Sequence, residues 1–178
     1  MSEVIPGLVS TIIPVYNRAG MVHKAVNSVL QQTYRPIEII LVDDGSNDGV
    51  TPALLDEIAT GELTTIRVIH QKNAGAGLAR ETGRQAARGE FIQYLDSDDW
   101  LLPEKFKLQI DALRKDSACD IAYGVTRLVD EDGRTLAEPS KHTGERHDRL
   151  FPMLLMDRWW HTSTPLYRRS LSDAAGAW

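Results

Sequence analysis

Asp96-Ser97-Asp98-Asp99 places three acids within four residues, directly after the β-prone run Phe91-Ile92-Gln93-Tyr94-Leu95. Carboxylates held that close repel one another and raise each other's pKa, and a bound divalent cation reverses both effects. Oxygen ligands with no His or Cys beside them suit Mg²⁺ or Mn²⁺ rather than Zn²⁺. Asp98, Asp96 and Asp99 are therefore candidate metal ligands, and the chemistry they point to is metal-assisted handling of phosphate. A solvated acidic loop capping the next helix is the plainer alternative, because Asp99 lies just before a helical pattern. Two further polar segments follow apolar runs in the same way: Asp43-Asp44-Gly45-Ser46-Asn47-Asp48-Gly49 and Gln71-Lys72-Asn73-Ala74-Gly75-Ala76-Gly77.

The elements that must position these segments are legible from periodicity. Leu8–Ile13, Ile37–Val42, Ile66–Ile69 and Phe91–Leu95 are apolar nearly throughout, as central parallel strands are when both faces are covered. Pro14 reads as the end of the first. Met21–Gln32 carries apolar residues at helical spacing, a second helix opens with Pro52 and stops near Gly61, and a third runs from about Leu78 to Arg88. Strand–helix alternation predicts a parallel sheet with right-handed crossovers, whose ligands bind outside the carboxyl ends of the strands. Asn17, Asp44, Asn73 and Asp96 would meet on that edge. A helix from Phe106 to about Asp116 follows, then a strand over Ile121–Val129, a hairpin turn at Asp130–Gly133 and a return strand over Thr135–Glu138. Pro139–His147 reads as a polar loop, Arg149–Asp157 as a short helix and Ser163–Arg168 as a last strand. The expected fold is α/β, a Rossmann-like, mostly parallel sheet flanked by helices. Residues 1–116 carry the alternating strands and helices, and 117–178 form a smaller mixed portion of one domain.

Composition narrows the partners. A chain of 178 residues with 42% hydrophobic and 25% charged residues has the make-up of one soluble domain. Net charge −5, with no basic run beyond Arg168-Arg169, argues against nucleic acid. A single cysteine, Cys119, forms no internal disulfide and reads as a buried inert thiol, which suits a reducing compartment. No apolar stretch approaches the roughly 18 residues of a transmembrane helix, and no leader precedes the first strand. A cytoplasmic protein is expected.

Four segments in order carry a family resemblance: Val9-Ser10-Thr11-Ile12-Ile13-Pro14-Val15-Tyr16-Asn17, Val42-Asp43-Asp44-Gly45-Ser46-Asn47-Asp48-Gly49, Asn73-Ala74-Gly75-Ala76-Gly77-Leu78-Ala79-Arg80 and Asp96-Ser97-Asp98-Asp99. Together they resemble the inverting family 2 glycosyltransferases, closely over residues 8 to 115 and more loosely beyond. The resemblance implies a GT-A fold, with residues 1–116 as its nucleotide-sugar-binding half. It implies that Pro14, Val15, Tyr16 and Asn17 line the nucleotide base and that Asp44 accepts a hydrogen bond from it, as an acid would from the uracil N–H. Asn73 and Gly75 would pass close to the nucleotide, Arg80 would lie near the phosphates, and Asp96, Ser97 and Asp98 would form the ribose and metal–diphosphate element. The implied cofactor is Mn²⁺ or Mg²⁺, neutralising the departing nucleoside diphosphate. The implied partners are a nucleotide-diphosphate sugar, with UDP as the expected carrier, and a saccharide or lipid-linked acceptor such as a growing polysaccharide. Peripheral association at the inner membrane face is implied in the same way.

The family takes the acceptor proton with an acid of a Glu-Asp pair that follows a Gly-x-Trp or Gly-x-Phe segment. Gly176-Ala177-Trp178 resembles the start of that segment, so the base is expected beyond Trp178, and this chain is expected to bind donor and metal but to transfer poorly. Trp159-Trp160 suits either an acceptor sugar or the core, and His161 is a weaker candidate base. A dinucleotide-binding reading of Gly75-x-Gly77 meets Arg80 where the third glycine belongs, and its loop follows the third strand. A binding module without transferase activity stays open.

Overall fold

The computed structural model describes residues 3–60, 65–130, 133–137 and 161–177. Strands and helices alternate through the first half: β1 (Ile5–Val15), α1 (Ala19–Leu30), β2 (Ile37–Asp43), α2 (Thr51–Thr60), β3 (Ile66–His70), α3 (Ala76–Ala86) and β4 (Gly89–Tyr94). Helix α4 (Lys105–Lys115) follows. After it come four short strands, β5 (Ile121–Ala122), β6 (Leu128–Val129), β7 (Thr135–Ala137) and β8 (Leu166–Arg168), and helix α5 (Arg169–Ala175). The main sheet has the order β3-β2-β1-β4-β8-β5. Its first four strands are parallel, and β8 runs antiparallel to both β4 and β5.

Both faces of the central strands are buried, which is why these runs are apolar rather than alternating. Val9 and Ile13 of β1 and Ile39 and Leu41 of β2 pack with Val22, Val26 and Val29 of α1 and with Phe106 and Ile110 of α4. On the other face Ile12, Ile40, Val42, Ile92 and Tyr94 pack with Ala79 of α3. Helix α3 sits tight on the sheet because Gly83 lacks a side chain: a Cβ there would lie 2.3 Å from Ile12 Cγ2.

A charged group of β2 lies inside this frame. Glu38 of β2 is 2% exposed, and its Oε1 accepts from Ser10 Oγ (2.6 Å) and from the Arg88 amide (2.7 Å). Its Oε2 accepts from the Arg88 guanidinium at 3.0 and 3.1 Å and from Arg67 at 3.3 Å. Burial opposes its ionisation, but the bonds from Ser10 and Arg88 and the Arg67 charge outweigh it and hold the carboxyl below its ordinary range.

Three local expectations are corrected. Pro14 does not end β1; the strand runs on to Val15, with Pro14 opposite Val42. The Ile12 carbonyl, facing β4, accepts the Leu95 amide as β4 ends. Alternation turns Pro14 to that same side, now past the end of β4, so its missing N–H takes nothing from the ladder. The expected strand over Ile121–Val129 is two strands with different partners, β5 against β8 and β6 against β7. Ser163 and Thr164 belong to a turn, closed by the Thr164 amide on the His161 carbonyl (3.0 Å), and the strand begins at Leu166. The Asp130–Gly133 turn is closed by the Gly133 amide on the Asp130 carbonyl, 3.0 Å. The expected loop at Pro139–His147, the helix at Arg149–Asp157, Trp159-Trp160 and Trp178 lie outside the described residues.

Candidate functional site

The loops leaving β1, β2, β3 and β4 gather at the carboxyl edge of the sheet and enclose an open cleft of about 300 Å³. Pro14 and Val15 line it from the end of β1, Tyr16 from the loop that follows, Asp44 from the second loop, Arg80 from α3, and Asp96, Ser97 and Asp98 from the turn after β4. Of the residues singled out from the sequence, those eight share the cleft. Asn17, Asn73, Gly75 and Asp99 are not among the residues that line it.

Asn17 adopts the left-handed conformation (φ 53°), which Asn tolerates better than most residues. Its amide donates to Ser46 Oγ (3.0 Å), its Nδ2 donates to Asn47 Oδ1 (2.9 Å), and its Oδ1 accepts from the amides of Asn47 (2.9 Å) and Asp48 (3.2 Å). These bonds make Asn17 a clamp between the first two loops. The bend sends Tyr16 outward, 44% exposed, with its ring available to a planar ligand.

Asp44 ties the second loop to the third. Its Oδ1 accepts from Gln71 Nε2 (2.8 Å) and the Ala74 amide (2.9 Å), and its Oδ2 from the Gly75 amide (2.8 Å). A carboxylate offers about four acceptor sites, so roughly one remains, on Oδ2, for a ligand N–H. Asn73 is exposed and outside the cleft because the loops cross backbone to backbone here: a Cβ on Gly45 would lie 2.6 Å from the Asn73 nitrogen. Gly75, at φ 91°, then turns the chain into α3. Ala76 and Arg80 lie one turn apart on that helix and both line the cleft, so its positive N-terminal end and a guanidinium face the same space.

A histidine braces the second loop from beneath. His70 Nδ1 lies 2.9 Å from Asp43 Oδ2 and its Nε2 lies 3.0 Å from Asp56 Oδ1, while Asp43 Oδ1 accepts the Ser46 amide (2.9 Å). The bonds to Asp56 and Asp43 raise the imidazole pKa above its ordinary value against the effect of burial. Burial likewise opposes ionisation of Asp43, but the bonds from Ser46 and His70 keep that carboxyl low. A raised pKa means that the His70 contribution to stability is complete below about pH 6.5, the unfolded value, and is lost as pH rises through the folded one. The gap in thermal midpoint between the parent chain and His70→Gln is therefore expected to be widest near pH 6 and to narrow toward about pH 9. A gap that stays flat over that range would remove the charge from the account.

At the far end of the cleft the three acids diverge. Asp96 Oδ1 accepts from the Arg80 guanidinium at 2.5 Å. Asp99 turns away, its amide on the Asp96 carbonyl (3.0 Å) and its Oδ2 accepting from Ser163 Oγ (2.6 Å). Burial first, and then the like charges of Asp96 and Asp98, raise its pKa, although the Ser163 bond opposes this. Asp98 alone is exposed. Among the described residues no three acid, His or Cys side chains converge as a ready-made metal cluster. The donor set fits Mg²⁺ or Mn²⁺: two of the cleft-lining carboxylates, Asp98 and Asp96 of the turn after β4, with no softer ligand in the cleft, suit a cation that takes its other oxygens from a diphosphate and water.

The sequence reading missed Arg18 and Ala76, which also line the cleft, and Ser163 beneath it. The signal for Arg18 was its place in the loop after the first strand. Nothing in the sequence pairs Ser163 with a turn 64 residues earlier. Cys119 is a half-buried thiol packed against the core.

Sheet order and cleft position define a GT-A domain, and two solved structures share the fold. The first 349 residues of S. aureus TarS, solved with UDP-GlcNAc, superpose with a TM-score of 0.74 at 23% identity over 94% of this chain and 47% of theirs. The Pyrobaculum calidifontis mannosyltransferase PcManGT, solved with GDP-Man and Mn²⁺, gives a TM-score of 0.69 at 19% identity over 95% of this chain and 46% of that one. The profile of Glycosyl transferase family 2 matches residues 10–173, and the chain belongs to that family. Among relatives, the uncharacterised glycosyltransferase RC0461 of Rickettsia conorii is 43% identical over 131 residues, 72% of this chain and 21% of that protein. The aligned segment thus spans about a fifth of that relative's length.

Proposed function

We propose that this chain is the donor-binding part of an inverting glycosyltransferase that takes a nucleotide-diphosphate sugar, with UDP as the carrier and Mn²⁺ or Mg²⁺ as cofactor. The observation that carries the reading is the linked series of groups lining one cleft: Tyr16 next to Val15, whose carbonyl accepts the Asp44 amide; Asp44, bonded to the Gly75 amide before α3; and Arg80 of α3, bonded to Asp96 beside Asp98. That series matches a base, a diphosphate and a metal-bound leaving group. Tyr16 stacks on the base, Asp44 accepts its N–H, and Arg80 exchanges Asp96 for phosphate oxygens as donor enters. When bound at Asp98 and Asp96, the cation supplies Lewis-acid neutralisation of the departing nucleoside diphosphate. TarS and PcManGT, solved with UDP-GlcNAc and with GDP-Man and Mn²⁺, support the donor class and the metal. The acceptor is read as a saccharide, free or lipid-linked, meeting the 117–178 side while 1–116 holds the donor. None of the described residues is assigned as the base. No helix among the described residues is long and apolar enough to cross a membrane, and contact with the inner membrane face would be peripheral.

Calorimetric titration with UDP and GDP, with and without Mn²⁺, tests the reading. UDP affinity is expected to rise at least tenfold with Mn²⁺ in the parent chain, and Asp98→Ala to remove that gain while leaving the metal-free affinity in place. A folded chain that binds neither nucleotide under either condition would overturn the proposal; tighter binding of GDP would keep the site and change the carrier.

A further inference from the structure

We infer that Ser163 is a positioning residue that selects which acids of the Asp96–Asp99 turn face the cation; the inference rests on reading that turn as the metal–diphosphate element. Ser163 is 7% exposed, and its single hydroxyl is used in both directions. It accepts from the Asp96 amide (3.2 Å) and donates to Asp99 Oδ2 (2.6 Å), bridging the first and last acids of the turn. The serine is itself held from below. Its carbonyl accepts from Gln93 Nε2 (3.0 Å), and the next carbonyl, of Thr164, accepts from Gln109 Nε2 (2.8 Å). Lys105 Nζ ties the two glutamines together, donating to Gln93 Oε1 and to Gln109 Oε1 (2.7 Å for the latter).

The consequence for the site is specific. With Asp99 drawn toward Ser163, the turn presents Asp98 and Asp96 to the cleft and keeps the third carboxylate out of it. Two carboxylates leave room in an octahedral shell for diphosphate oxygens; a third would add charge that repels the diphosphate and would occupy one of its places. Ser163 therefore acts through the acids on metal binding in the presence of nucleotide. It has no route to the base, which is bound at the Tyr16 and Asp44 end.

Mn²⁺ binding to the 178-residue chain at saturating UDP, followed by loss of the free-ion electron paramagnetic resonance signal, tests this in Ser163→Ala, Ser163→Cys and Ser163→Thr. The alanine and cysteine variants are expected to raise the Mn²⁺ dissociation constant roughly tenfold, and the threonine variant, which keeps the hydroxyl, to stay within about twofold of the parent. UDP affinity without metal should be unchanged in all three. Should Ser163→Ala fail to fold, Ser163→Cys decides, since it keeps the volume and weakens the donor. Unchanged Mn²⁺ affinity, or equal loss of UDP affinity with and without metal, would overturn the positioning role alone. A parent chain that binds neither UDP nor Mn²⁺ would overturn the donor-site reading and this role with it.

Discussion

Glu38→Ala is expected to lower the unfolding free energy by roughly 3 kcal/mol at neutral pH, the range found when one partner of a buried charged network is removed. The carboxylate is 2% exposed and receives five hydrogen bonds from Ser10, Arg67 and Arg88. Its removal strands the buried Ser10 hydroxyl beside the Arg88 amide and leaves two guanidiniums without their counter-charge. Both arginines are more than two-fifths exposed, so water recovers part of what they lose, and the figure stays at the lower end. In a chain of this size the shift in thermal midpoint is roughly 6–12 °C. Glu38→Gln should rescue little, because its amide NH₂ would point at the guanidiniums in place of Oε2. The carboxyl pKa is lowered by folding, so the contribution is present above the ordinary carboxylate range and is lost as pH falls through the folded value. Urea denaturation of parent and variant should therefore differ strongly at neutral pH and converge in acid. Equal midpoints at neutral pH would show the network to be energetically idle.

Asp44→Ala is expected to do the opposite: little to stability and much to binding. The amides that it releases belong to Ala74 and Gly75, both exposed, and water can take them up. On the proposed reading this end of the cleft loses two things at once, the acceptor for a base N–H and the three bonds that hold the loop from Gln71 to Gly75. A hydrogen bond to a charged acceptor is worth about 1.5–3 kcal/mol, which corresponds to a fall in UDP affinity of roughly 10–150-fold. Isothermal titration without metal isolates this end of the site. Asp44→Asn should fall between, since its amide keeps one acceptor oxygen but presents an NH₂ to the loop. Undiminished UDP binding by Asp44→Ala would remove this residue from base recognition and leave it a loop brace only.

The parallel half was legible because its signals are local. Apolar runs of strand length, helical spacing between them and polar residues where each run ends are properties of neighbours in the chain, and they placed β1 to β4 and most of the cleft. The failures lie where distant segments decide. Asn17 and Asp99 have the residue types of ligand contacts, and each is engaged by another segment: Asn47 for the first, Ser163 for the second. A polar residue in a loop looks the same in sequence whether it serves a ligand or a neighbouring loop. Pro14 misled for a related reason, since its effect on β1 depends on where β4 stops. The break in Ile121–Val129 depends on which strand each end meets.

The order β4-β8-β5 also bears on how the molecule comes to exist. During synthesis β1 to β4 emerge as a sheet whose outermost member, β4, has one side bare, and the strand that covers it is among the last described segments to leave the ribosome. Bare strand edges recruit other chains. In that interval the nascent protein is most open to aggregation, and the Asp96 turn lacks the serine that orders it. Arrival of Leu166–Arg168 beside Gln93, Ile92 and Phe91 covers that edge of β4 and brings Ser163 to the acidic turn in the same event.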